Sequence, residues 1–129
     1  MSEQLVIALG GNALGSTPTE QKQAVLEAAK HIAKLVKEGY KIVIVHGNGP
    51  QVGMINLAFE LAGKENKNIS IMPFAECCAM SQGYIGFHLQ NALQNTFYEN
   101  GLSTHVSTAI TQVIVEREDQ AFQNLTKPV

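Results

Sequence analysis

Short apolar runs alternating with longer amphipathic stretches predict an α/β protein built on an open, mainly parallel sheet with helices on both faces. Three observations carry this expectation. Leu5-Val6-Ile7-Ala8-Leu9 is a continuous apolar run ending at glycine, as a strand buried on both faces of a parallel sheet reads. Lys41-Ile42-Val43-Ile44-Val45 is a second such run. Between them lies a helix with its own start and stop signals, so the three form one βαβ unit with a right-handed crossover.

The helix start is Thr17-Pro18-Thr19-Glu20. Threonine suits the N-cap, proline the first helical position, and glutamate three residues after the cap completes a capping box. Val25, Ala28, Ile32, Leu35 and Val36 recur at helical spacing, and Gly39 stands where a glycine closes a helix. Val52, Ile55, Leu57, Ala58, Phe59, Leu61 and Ala62 predict a second helix ending near Gly63. Ile69 to Pro73 reads as a short extended piece. A long helix is expected over 75–99, with Leu89, Leu93 and Phe97 on one face and Gly101 closing it. Val106 and the alternating stretch Ile110 to Val115 read as one or two further strands.

A chain of 129 residues fits one domain, spanning 1–129, with a real core. Its formal charge of −2 leaves no basic footprint, which argues against nucleic acid as a partner. No apolar run approaches the roughly 20 residues that cross a bilayer, and the start lacks a signal peptide's pattern, so a cytoplasmic location is the default expectation. Cys77 and Cys78 are adjacent and sit in no metal-binding spacing; they read as core thiols on a helix.

Two βα turns carry the chemistry. Gly10-Gly11-Asn12 follows the first strand and Gly47-Asn48-Gly49 the second. Ligands of open α/β sheets bind beyond the carboxyl ends of the strands. Glycine lets backbone N–H groups approach a ligand closely, and a following helix adds unpaired N–H groups with a partial positive charge. Asn12 and Asn48 supply side-chain donors, and Pro50 suits the first position of the second helix. A single glycine-rich turn is often only a tight turn. Gly10-Gly11 is no GxGxxG fingerprint, because Gly15 comes too late, and Gly47 to Pro50 is no Walker A loop, because no Lys-Ser/Thr follows. Two Gly-Asn turns at equivalent places of one βαβ unit point to an anion site, for a phosphoryl-bearing ligand.

Ser81-Gln82-Gly83-Tyr84-Ile85-Gly86 places two glycines three apart in a helix, at about 1 kcal/mol each relative to alanine. Close helix packing is one reason for them; the other is that Ser81 and Gln82 line the ligand cleft or a subunit contact. Lys127 reads from its spacing as a solvated tail charge, although a loop folding back over the cleft would let it neutralise a transferring phosphoryl group. Of the four histidines, only His46 adjoins a glycine turn, where it reads as a hydrogen-bonded support for the loop.

At these residues the sequence resembles the carbamate kinases, of the amino-acid-kinase fold family. The matching segments are Ala8 to Leu14, His46 to Gly53, Ala79 to Gly86 and Thr126-Lys127-Pro128, in the same order and spacing. The resemblance implies a three-layer αβα sandwich, usually a homodimer. It implies phosphoryl transfer between ATP and carbamate, often from carbamoyl phosphate and ADP toward ATP in arginine catabolism, with Mg2+ accompanying the nucleotide. It places Gly10, Gly11 and Asn12 against the phosphoryl group and carbamate, Gly47, Asn48 and Gly49 on the other side, and Lys127 on the substrate as the catalytic group. Leu125 stands where the family usually has proline. Family enzymes are more than twice this long, and their C-terminal part supplies the nucleotide-binding region. By this likeness the chain is the substrate half-site, with little or no turnover alone and with apolar surface left for association. Two other readings stand beside it: a non-catalytic domain for a small anion or for interaction, and a kinase of the same fold acting on a carboxylate. The segments around Ser81 and Lys127 favour carbamate over the last.

Overall fold

The computed structural model describes residues 3–124, apart from the side chains of Gly11 and Asn12. Strand β1 (Gln4–Leu9) leads through a 3-10 turn (Gly11–Leu14) to helix α1 (Pro18–Lys37). Strand β2 (Lys41–His46), helix α2 (Gly49–Glu65) and helix α3 (Phe74–Glu99) follow, and a second 3-10 turn spans Gln120–Phe122. β1 and β2 pair in parallel, from Gln4 opposite Lys41 to Leu9 opposite His46.

α1 begins as its sequence dictates. The Thr17 hydroxyl accepts from the Glu20 amide at 3.2 Å, and the Glu20 carboxylate accepts from the Thr17 amide at 3.2 Å and the Ser16 amide at 2.9 Å. Those backbone donors hold the Glu20 carboxyl below the usual glutamate value. The helix ends in a glycine turn: Gly39 has φ +94°, and the Tyr40 amide reaches back to the Leu35 carbonyl at 3.1 Å.

The core lies between α1, α3 and one face of the sheet. α1 presents Gln21, Val25, Ala29, Ile32 and Ala33, and α3 presents Ile85, Leu89, Leu93 and Phe97, all buried. Ile7, Leu9, Ile42 and Ile44 pack against them from the strands. Residues recurring at three and four along each helix make one apolar stripe, and alternate strand residues make one apolar face.

Two sequence expectations give way here. The strands are covered on one face only: Val6, Val43 and Val45 on the other are 67%, 42% and 48% exposed. The open parallel sheet of the expected fold class is present, and the described residues pack helices on one of its faces. Val106 and Ile110 to Val115 form no strand, nor does Ile69 to Pro73. A strand is defined by its ladder, and no described segment pairs with these residues; Val113 and Ile114 stand 83% and 97% exposed. The stretch around Thr108 is instead fastened to α3. The Thr108 hydroxyl donates to the Gly86 carbonyl at 3.2 Å, and a Cβ on Gly86 would lie 2.2 Å from the Thr108 methyl. Gly86 is therefore a packing glycine. Gly83 is not, because nothing lies within 4 Å of where its Cβ would stand.

Candidate functional site

The parallel register decides the site's geometry. Leu9 and His46 face each other at the ends of their strands, so the two glycine turns leave the sheet side by side. One further ladder bond, from the Gly47 amide to the Leu9 carbonyl at 3.0 Å, ties the second turn to the first. The first turn closes with the Ala13 amide on the Gly10 carbonyl at 3.0 Å. The second passes directly into α2, with Pro50 in its first turn and the Val52 amide on the Asn48 carbonyl at 2.8 Å. His46 Nδ1 lies 3.1 Å from the Gly47 carbonyl, the local support expected of it.

Neither Gly10 nor Gly49 needs to be glycine for the fold. A Cβ on either would meet nothing within 4 Å, and neither adopts a positive φ. Among the described residues, the left-handed glycines are Gly15, Gly39 and Gly101. Close backbone approach, rather than unusual dihedrals, is the property glycine confers at Gly10 and Gly49.

A buried polar chain supports the two turns. Gln51 Nε2 donates to the Gly15 carbonyl at 2.9 Å and to Gln21 Oε1 at 3.0 Å, and Gln21 Nε2 lies 3.0 Å from His88 Nδ1. It joins α2 to the loop after the first turn, then to α1 and α3. Gln21 is 0%, Gln51 2% and His88 7% exposed, so these groups depend on each other for their hydrogen bonds. Gln51 Oε1 is buried without a partner. Sequence reading missed this chain; its one signal was Gln21, four residues before Val25 on the apolar stripe of α1.

Burial, followed by the charge on Lys22, pushes the His88 imidazole below its usual pKa. The neutral ring accepts from Gln21, and protonation would set two donors against each other. In the unfolded chain the ring takes a proton near pH 6.5, whereas the folded protein resists it to lower pH. Stability from this group is therefore complete above about pH 6.5 and declines as pH falls below it. Urea midpoints at pH 7.5 and 5.5 should differ more in the native chain than in His88→Gln.

The remaining candidates separate. Asn48 Nδ2 donates to Ser81 Oγ at 2.8 Å, and Ser81, fully buried, backs the second turn. Gln82 instead grips the stretch after α3, accepting from the Thr111 amide at 2.8 Å and donating to its carbonyl at 3.2 Å. Lys127 lies outside the described residues, as do Thr126 and Pro128. Cys77 is a buried free thiol, and Cys78 is half-buried. A cavity of about 800 Å³ runs between β2 and Thr104–Thr111 and does not coincide with the turns. Among the described residues no His, Cys, Asp or Glu side chains gather into a metal site, and no helix is long and apolar enough to cross a membrane.

The profile of the Amino acid kinase family matches residues 3–128, and the chain belongs to that family. Within it, the chain matches the N-terminal portion of carbamate kinases. It is 53% identical over 127 residues to a carbamate kinase-like protein of Mycoplasma pneumoniae, covering 98% of this chain and 41% of that protein. It is 49% identical over 126 residues to carbamate kinase 3 of Staphylococcus aureus, covering 98% and 40%. The solved structure of Giardia carbamate kinase superposes with a TM-score of 0.90 at 42% identity, over 100% of this chain and 44% of that one. A Giardia lamblia carbamate kinase bound to AMP-PNP gives 0.89, also at 42% identity, over 98% and 45%. The chain thus spans about two fifths of the length of the curated relatives it matches.

Proposed function

We propose that the chain supplies the carbamate- and phosphoryl-binding part, residues 1–129, of a carbamate kinase, and that a further C-terminal part supplies the nucleotide site. The reaction is reversible phosphoryl transfer between ATP and carbamate, run toward ATP from carbamoyl phosphate and ADP in arginine breakdown. One observation carries the reading. Two in-register strands deliver two glycine turns to one place, and Gly10 and Gly49 have no packing reason to be glycine.

In this reading Gly10, Gly11 and Asn12 hold the phosphoryl group and carbamate from one side, and Gly47, Asn48 and Gly49 from the other. The start of α2 faces the negative charge. Lys127 reaches the substrate and neutralises the charge of the group in transfer. Phosphoryl transfer asks little covalent work of a protein, so positioning and charge stabilisation are what these residues provide. The turns carry no carboxylate for Mg2+, which the nucleotide phosphates would bring with them. The complete enzyme is a cytoplasmic homodimer in this reading.

The test joins this chain to the remaining C-terminal portion of the Staphylococcus aureus relative and assays ATP formation from carbamoyl phosphate, ADP and Mg2+. The fusion should turn over, and the 129 residues alone should give little or none. Lys127→Ala should lower turnover in the fusion by about 10²–10³-fold, the scale of losing one charge-stabilising group. A folded fusion that uses acetyl phosphate but not carbamoyl phosphate would overturn the substrate. One that binds phosphate without turnover would point to a non-catalytic anion-binding domain.

A further inference from the structure

We infer that Ser81 is a positioning residue for the anion cradle, holding the Asn48 carboxamide in one orientation and off the start of α2. The inference rests on the proposed function, in which Asn48 and Gly49 face the anion.

Asparagine is among the most favourable N-cap residues, and Asn48 occupies the N-cap of α2. It makes no side-chain cap bond. The contrast is with Thr17, the N-cap of α1, which does cap, from φ −114° and ψ 156°. Asn48 has φ −144° and ψ 11°, and its Nδ2 is drawn 2.8 Å from Ser81 Oγ on α3.

The direction of that bond follows from proton count. Ser81 Oγ donates its single proton to the Cys78 carbonyl at 2.6 Å, so it can only accept from Asn48. The carboxamide must therefore present its NH2 end to α3, and a flip would set two acceptors together. One amide proton is fixed on Ser81, which leaves the other with a fixed direction. The Asn48 oxygen is kept from the Gln51 amide, the donor an N-cap would ordinarily satisfy, since Pro50 offers none. A serine inside a helix satisfies itself on a preceding carbonyl without any partner on another element. The bond to Asn48 is thus additional to what α3 requires.

The test uses four forms of the chain: native, Ser81→Ala, Asn48→Ala and the double variant, each checked for its helical circular dichroism. Inorganic phosphate is titrated while backbone amide shifts are followed. Ser81→Ala should weaken phosphate binding about five-fold, the size of one N-cap interaction that the anion must first displace. In the Asn48→Ala background the same change should have no effect. Without phosphate, the Gln51 amide should exchange more slowly in Ser81→Ala, as Asn48 caps it, and should return to native exchange in the double variant. Native affinity and exchange in Ser81→Ala, or equal weakening in both backgrounds, would overturn the inference. If the native chain binds no phosphate, the proposed function fails, and the exchange comparison still decides the role of Ser81. Should Ser81→Ala not fold, Ser81→Cys, whose sulfur is a weak acceptor, replaces it with the same expectations.

Discussion

Gly10→Val should leave the fold standing and remove the chemistry. Gly10 is exposed at the end of β1, its φ is not positive, and a Cβ there meets nothing within 4 Å. Valine is at home at a strand end, and the Gly10 carbonyl keeps its bond from the Ala13 amide. Unfolding free energy should change by no more than about 0.5 kcal/mol, as for other surface substitutions. Under the proposed function, by contrast, the new methyls in the fused enzyme would stand where the phosphoryl group approaches the backbone. Misplacing a reacting group by about 1 Å is enough for a loss of about a hundred-fold or more. Gly63 and Gly86 provide the contrast. A Cβ on Gly63 would lie 2.7 Å from Ile71 Cγ1, and one on Gly86 2.2 Å from Thr108 Cγ2, so a side chain there has no room. Stability measurements on Gly10→Val and Gly86→Val therefore separate a functional glycine from a packing one. A loss of several kcal/mol from Gly10→Val would assign Gly10 to the fold.

Ile85→Ala is the second large effect, and it falls on stability. Ile85 is completely buried where α3 packs on α1. Truncation removes the transfer energy of its methyls and leaves a cavity that close-packed neighbours fill only in part, at about 2–5 kcal/mol. With one face of the sheet open, α1 and α3 carry most of the apolar burial, which places the expected cost toward the upper part of that range. The measurement is the urea midpoint at pH 7.5, with the m-value checked against the native chain. A change below about 1 kcal/mol would mean that α3 is not seated on α1 as described.

What the sequence makes legible is what local chemistry decides. The start of α1 follows from Thr17, Pro18 and Glu20, its end from Gly39, and both agree with the structure. α3 was expected over 75–99 and spans Phe74–Glu99, with Leu89, Leu93 and Phe97 on its buried face. The two turns fall at the ends of their strands because an apolar run followed by glycine needs no tertiary information to read. Strand formation is different in kind. Ile110 to Val115 has the alternation of a strand, yet alternation gives only the capacity to pair, and the partner is a tertiary matter. The same holds for Leu5 to Leu9: an all-apolar run permits cover on both faces, and the structure covers one.

The site divides along the same line. Gly10, Gly49 and Asn48 enter the proposed site from their type and position alone. The sequence left Ser81 between helix packing and a cleft or subunit contact, and the structure bonds it to Asn48 from inside α3. Its contribution depends on a hydrogen bond across 33 residues, to which no spacing rule applies. Gln51, Gln21 and His88 meet across three helices, and only the placing of Gln21 on an apolar stripe hinted that a buried polar partner would be needed.

The central claim is that the two glycine turns form one anion site. It is tested most directly by titrating the isotope-labelled chain with carbamoyl phosphate and following backbone amides. The account predicts that amides of residues 10–13, 47–49 and 51 shift together along one binding curve, while the glycine turns at Gly39 and Gly101 stay in place. Movement of one turn without the other, or of neither, would contradict it.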